Sequence, residues 1–198
     1  MKIIGLTGGS GTGKGTVAGL LCELGAASVD ADAVYRRLCE SDTAMLDALQ
    51  AAFGDILLPN GALDRPALAR IVFADPDQLA LLNDITTPYI RSASIQALES
   101  FSDHPIVLYD APTLFETGAE VLCERVIGVI AGRETRVERI MARDGLSETA
   151  ARARIDAQPD DAYYRARCDY LIDNSGDLEN LRRQTKQLYD TLLKENAI

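Results

Sequence analysis

Apolar residues along the chain fall into two kinds of run. Short unbroken stretches occur at Met1–Thr7, Ala26–Val29, Pro105–Tyr109 (PIVLY), Val126–Ala131 (VIGVIA) and Tyr170–Ile172. Each is too short for a buried helix and reads as a strand covered on both faces. Between most of them apolar residues recur every three or four positions, as at Val17, Leu20, Leu21 and Leu24, a helical stripe that Gly25 ends. Strand and helix in alternation predict an α/β fold of three layers, with a five-stranded parallel sheet between helices and right-handed crossovers. Two segments interrupt the alternation. Residues 33–102, between the second and third strands, are mostly helical in pattern, with turn signals at Pro59-Asn60-Gly61 and Asp75-Pro76. So long a crossover predicts an inserted helical subdomain that holds a substrate. Residues 133–160 read as two helices split at Asp144-Gly145 and ended by Gln158-Pro159, a lid-sized second insertion into what is otherwise one domain over 1–198.

Composition narrows the classes. A chain of 198 residues, 47% hydrophobic, can bury a core without covalent staples. Cys22, Cys39, Cys123 and Cys168 include no C-x-x-C pair and His104 is the one histidine, which argues against a zinc site or a disulfide framework. Unremarkable thiols in a reducing cytoplasm are expected. No run approaches membrane-spanning length and the amino terminus lacks a signal-peptide pattern, so no membrane partner is expected. The formal net charge of −10 speaks against nucleic acid as a partner. An anionic ligand therefore needs a local basic site. Eight of the sixteen arginines lie between 133 and 167, and Arg136, Arg139 and Arg143 share one helical face. Taken alone, that segment suits a solvated face paired with Glu134, Glu138 and Glu148.

One motif changes the weighting. Gly8-Gly9-Ser10-Gly11-Thr12-Gly13-Lys14-Gly15-Thr16 follows an apolar strand and opens a helix. Glycines there let amide N–H groups wrap around phosphates, the helix amino terminus adds positive potential, and Lys14 reaches the outer phosphates. This is the P-loop pattern G-x-x-x-x-G-K-[ST] with one departure: residue 15 is glycine and the hydroxyl comes one place later, at Thr16. Direct coordination of magnesium by a hydroxyl at residue 15 is thereby lost, while phosphate binding survives. Val29-Asp30-Ala31-Asp32 sits at the carboxyl end of the second strand, where ligands of open parallel sheets bind; a carboxylate there can take a proton from an attacking hydroxyl, or cap the next helix. Asp110 ends PIVLY and is a candidate holder of hydrated magnesium, with Thr16 the other candidate. Beside a P-loop, the arginine face gains a use as mobile cations over a transferring phosphoryl group. The expectation is a P-loop phosphotransferase using ATP with Mg2+.

Over nearly its whole length the chain resembles the dephospho-CoA kinase family. The resemblance rests on LTGGSGTGKGT at the start, VDAD at 29–32, GALDRPALARIVFAD at 61–75, LNDITTPYIR at 82–91, DAPTLFETG at 110–118, ARIDAQ at 153–158 and CDYLIDNSG at 168–176. It implies transfer of phosphate from ATP to the ribose 3'-hydroxyl of dephospho-CoA, giving CoA. It also implies Asp32 as catalytic base, Gly9 to Thr16 (Gly9, Ser10, Gly11, Thr12, Gly13, Lys14, Gly15, Thr16) as triphosphate site and Arg139 and Arg143 as lid residues, Arg139 catalytic together with Lys14. Arg91 and the segment Pro112 to Glu116, with Leu114, would line the acceptor side, and Asn174 and Gly176 the adenine pocket. Departures from the family pattern are Gly15, Thr87 in place of His before Pro88, Thr113 in place of Leu, and Tyr164 where a basic residue is common. The G-K-G-T ending also suits a kinase of nucleoside monophosphates or another small molecule. A nucleotide-dependent switch is less well matched, since Thr185-Lys186-Gln187-Leu188 lacks the Asp of a guanine-recognition element, and a degenerate CoA-binding protein is a further alternative.

Overall fold

The computed structural model describes residues 1–195. Among these the apolar runs form β1 (Lys2–Thr7), β2 (Ala27–Asp30), β3 (Ile106–Asp110), β4 (Arg125–Ile130) and β5 (Tyr170–Asp173), each within a residue of its expected bounds. They make one parallel sheet in the order β2-β3-β1-β4-β5. Strand β1, which leads into the glycine-rich turn, is thus central, paired with β3 on one side and β4 on the other. Around it run α1 (Lys14–Glu23), α6 (Arg133–Asp144), α7 (Glu148–Asp156), α8 (Asp161–Arg167) and α9 (Leu178–Lys194). Between β2 and β3 come α2 (Ala31–Ser41), α3 (Thr43–Phe53), α4 (Arg65–Val72) and α5 (Pro76–Glu99).

The chain divides into two compact units, residues 1–29 together with 98 onward, and residues 30–97. In the first, Ile4 and Leu6 of β1, Ile106 and Leu108 of β3 and Ile127 and Val129 of β4 are buried against Val17 and Leu21 of α1 and Leu181, Leu188 and Leu192 of α9. The continuous apolar strands of the sequence are therefore strands covered on both faces. The α6–α7 hairpin carries a small core of its own, Val137 and Ile140 against Ala151 and Ile155. In the second unit the interior is built from Val34, Leu38, Met45, Leu46, Leu49, Ile56, Leu68 and Val72. Its turns obey local rules: Asp42, Asp64 and Asp30 each cap the helix that follows. In α5 the hydroxyls of Thr86 and Thr87 donate to the carbonyls of Leu82 and Asn83 just before Pro88.

Candidate active site

The sheet register brings the carboxyl ends of four strands to one edge. Leu6 of β1 pairs with Asp110 of β3, Thr7 with Gly128 of β4, and Ile130 of β4 with Asp173 of β5. Ligands of open parallel sheets bind at such an edge. Here the chain leaves β1, turns through Gly8 to Gly13 and enters α1 at Lys14. Gly11 and Gly13 have φ of 79° and 86°, and a Cβ at Gly13 would lie 2.2 Å from the Asn174 amide nitrogen. Both conditions demand glycine. Position 15 is different, because a Cβ there meets nothing within 4 Å. Nothing in the packing imposes the Gly15 departure.

Side chains from distant elements clamp this loop from outside. Arg136 of α6, only 4% exposed, donates from Nε to the Ser10 carbonyl at 2.9 Å. Gln158 Oε1 accepts the Ser10 N–H at 2.8 Å, and Gln158 Nε2 donates to the Ser10 hydroxyl at 3.2 Å. Arg136 Nη2 also reaches Gln158 Oε1 at 3.3 Å. On the other flank the buried Asn174 donates from Nδ2 to the Thr12 carbonyl at 2.8 Å. Arg139 donates to the Gly11 and Thr12 carbonyls at 3.4 and 3.3 Å and to the Asn174 carbonyl at 3.0 Å. The carbonyls of Ser10, Gly11 and Thr12 are thus satisfied from outside, while that of Gly9 accepts from the Thr12 N–H and hydroxyl within the loop. The N–H groups of Gly11, Gly13, Lys14 and Gly15 have no acceptor among the described residues, the pattern of an anion cradle. Lys14 Nζ is ion-paired with Asp110 Oδ1, both side chains mostly buried.

The arginine-rich segment separates into two classes. Arg136 and Arg139 turn inward onto the loop, so the expectation of Arg136 as a mobile cation is corrected: burial pushes its pKa down and the clamp fixes it in place. Arg133, Arg143, Arg152 and Arg154 make surface ion pairs, Arg133 with Asp156, Arg152 with Glu134 and Glu148, and Arg143 and Arg154 with Asp144. Hydrogen bonds from Arg143, and then from Arg154, hold the Asp144 carboxyl down at about 2.

The remaining candidates are placed as follows. At the start of α2 the Asp30 carboxylate accepts the N–H groups of Asp32 and Ala33 at 2.9 and 3.2 Å. Capping therefore falls to Asp30, and the Asp32 carboxylate stands exposed on the first turn with no partner in its own unit. Arg91 is exposed on α5 in that same unit. After β3, the Pro112 carbonyl accepts from the Thr7 hydroxyl at 3.1 Å, Leu114 is fully buried over Gly5, and Glu116 is exposed. Leu114 thus anchors that segment to the sheet. Phe115 packs edge-on against Tyr163, whose ring lies under the Arg167 guanidinium at 4.0 Å, while Tyr164 is buried and its phenol is pushed by burial to about 12. Thr16 is exposed one residue beyond Gly15, and Gly176 is exposed after β5. Gln158 is the site residue that the sequence pattern conceals: it reads as a helix end, and only its place in ARIDAQ marks it.

The family model described as dephospho-CoA kinase matches residues 2–180. A dephospho-CoA kinase of Anaeromyxobacter dehalogenans is 43% identical over 191 residues, covering 95% of this chain and 90% of that protein. One of Geobacter sulfurreducens is 42% identical over 192 residues, covering 96% and 98%. Among solved structures, dephospho-CoA kinase from Campylobacter jejuni superposes with a TM-score of 0.72 at 26% identity over 97% of each chain. A shikimate kinase of Bacteroides thetaiotaomicron shares the fold alone, with a TM-score of 0.56 at 14% identity, covering 96% of this chain and 98% of that one.

Proposed function

Since the chain belongs to the dephospho-CoA kinase family, we propose that it transfers the γ-phosphoryl group of ATP to the ribose 3'-hydroxyl of dephospho-CoA, completing CoA. The observation that carries this reading is the clamped loop from Gly8 to Thr16 with Lys14 at its end. The free amides and Lys14 would hold the triphosphate, and the exposed Asp32 carboxylate would accept the proton of the 3'-hydroxyl. As that oxygen bonds to the γ-phosphorus, the bond from phosphorus to the β–γ bridging oxygen breaks and ADP leaves. Arg139 would stabilise the developing charge from the lid side, with Arg143 added once released from Asp144. Arg91, Pro112 and Glu116 are proposed acceptor contacts, with Leu114 holding their segment, and Asn174 and Gly176 are proposed to border the adenine.

Magnesium fits this donor set in a particular way. Among the described residues no cluster of three or more His, Cys, Asp or Glu is poised for a metal. Among the described residues Asp110 is the carboxylate ion-paired with Lys14, which suits an ion that takes one protein carboxylate and otherwise water and substrate phosphate. When bound, the ion would neutralise charge on the outer phosphates, with Asp110 as holder and Thr16 as the nearest hydroxyl in sequence. No helix among the described residues is long and apolar enough to cross a membrane; a cytoplasmic location is proposed on the family's soluble chemistry.

The deciding experiment follows ADP formation with Mg-ATP and dephospho-CoA, AMP or no acceptor, identifying the product by mass. Turnover only with dephospho-CoA, with one phosphate added, is the expected result. Turnover with AMP instead would assign the acceptor to nucleoside monophosphates, and ADP formation without any acceptor would turn the assignment toward a nucleotide hydrolase.

A further inference from the structure

A charge taken out of water ordinarily has an opposite charge beside it, since hydrogen bonds to neutral groups repay little of the lost hydration. The α6–α7 hairpin inverts this rule. Arg133, Arg143, Arg152 and Arg154 make surface ion pairs. Arg136 is 4% exposed, yet among the described residues no carboxylate lies within ion-pair distance of its guanidinium. Its acceptors are neutral, the Ser10 carbonyl at 2.9 Å and Gln158 Oε1 at 3.3 Å. Asp161, which lines the same small hollow as Arg136, offsets only part of the cost, since burial still holds the Arg136 pKa down.

The phosphate loop is shaped around this residue. A Cβ at Gly9 would lie 2.5 Å from Arg136 Nη2, and one at Gly11 would lie 2.6 Å from the Arg136 carbonyl oxygen, so neither position has room for a side chain. Between them the guanidinium donates to the Ser10 carbonyl. The peptide from Ser10 to Gly11 is trans, so its N–H points opposite to its carbonyl. Drawing that carbonyl onto Arg136 therefore aims the Gly11 N–H away from α6, and the N–H has no acceptor among the described residues. The same arrangement recurs two residues on, where Asn174 and Arg139 take the Thr12 carbonyl and the Gly13 N–H is left free. A cation on the carbonyl also draws electron density through the peptide and makes the opposite N–H a stronger donor. Resting on the triphosphate site of the function proposed above, we infer that Arg136 is a positioning residue for the phosphates. Without touching them, it aims and polarises the Gly11 N–H and gives the loop a fixed positive charge whose counter-ion is the triphosphate.

Arg136→Met, which removes donor and charge, and Arg136→Lys, which keeps one of each, are compared with wild type for calorimetric binding of ATP and of adenosine. The Gly11 amide resonance is followed in isotope-labelled protein. Arg136→Met should raise the dissociation constant for ATP about tenfold, the worth of one charge-assisted hydrogen bond, while adenosine binds within about twofold of wild type. Arg136→Lys should recover most of that loss. In wild type the Gly11 amide proton should move downfield when ATP binds. In ligand-free Arg136→Met it should lie upfield of its wild-type position, because the peptide has lost its polarising cation. A purely structural role would weaken ATP and adenosine alike, and that result overturns the inference, as does a Lys variant no better than the Met variant. Should Arg136→Met fail to fold, Arg136→Gln takes its place with the same expectations, and a wild-type Gly11 resonance that ATP leaves unmoved overturns the inference by itself. Unchanged ATP affinity in folded variants overturns the inference and leaves the proposed function standing. A wild-type protein that does not bind ATP overturns both.

Discussion

At two places a strand hands over to a helix beside a group with chemistry to perform, and the two junctions are built on opposite plans. Between β1 and α1 the loop is long, rich in glycine and held from outside by Arg136, Gln158, Arg139 and Asn174. Between β2 and α2 there is no loop: Asp30 ends the strand and caps the helix, and Asp32 projects from its first turn without support. In the function proposed above the first junction presents several amides to one triphosphate, so misplacement of any of them would lose affinity, and preorganisation is worth the clamp. In that same proposed function the second presents a single carboxylate, Asp32, to an incoming hydroxyl, where one cap suffices to set the direction of the helix.

That contrast predicts where substitutions act. The largest effect is expected at the unsupported junction: Asp32→Asn should lower kcat by about 10²–10⁴, the range of a general base, with ATP affinity unchanged by calorimetry. Asp30→Asn, which keeps a capping oxygen, should retain most activity and serves as its control. At the clamped junction, Gln158→Leu should raise the dissociation constant for ATP about tenfold through loss of preorganised amides. Adenosine, which lacks phosphates, should bind the variant as it binds wild type, and Gln158→Glu should recover part of the loss because its carboxylate still accepts from Ser10 and Arg136. Equal weakening of ATP and adenosine would show that Gln158 supports the fold and not the phosphate site.

A smaller effect is expected at position 15, where the packing leaves room for a side chain. Gly15→Ser should supply the missing hydroxyl and increase the gain in ATP affinity on adding Mg2+ by about threefold to tenfold, the worth of one net polar contact. Titration of ATP binding with and without the ion reads this directly. An unchanged ratio would mean that Thr16 or water already fills that role. The smallest effect belongs to the exposed lid surface. Arg143 and Arg154 hold the folded Asp144 carboxyl at about 2, below its ordinary value of 3.8. A depressed carboxylate stabilises the fold above its unfolded pKa, and that contribution is lost as pH falls from near 4 to near 2. Melting temperatures of wild type and Asp144→Asn should therefore differ slightly at neutral pH and converge below about pH 2.

Much of this molecule is legible one segment at a time. The five strands, the helical insertion and the glycine-rich turn all show in the local pattern, because strand burial and phosphate wrapping each act within a few consecutive residues. The pair Asp30 and Asp32 was ambiguous between cap and base, and the geometry of one helix turn assigned the cap to Asp30. The arginine cluster could not be sorted by pattern, since Arg136 and Arg143 lie two turns apart on one helix face yet one is buried in a clamp and the other is paired with its sequence neighbour in solvent. Leu114 likewise read as an acceptor contact by its place in a motif, while its side chain is spent on covering Gly5.

The sequence alone therefore determined the order of elements and the identity of the phosphate loop, because both are written in short-range periodicity and in residues that only a few backbone shapes require. Tertiary structure decided which polar groups support that loop. Gln158 meets Ser10 across 148 positions and Lys14 meets Asp110 across 96, and these meetings exist because the sheet places β3 and β4 on either side of β1. Long-range partners are set by the packing of whole strands and helices, and no local window of sequence contains that information.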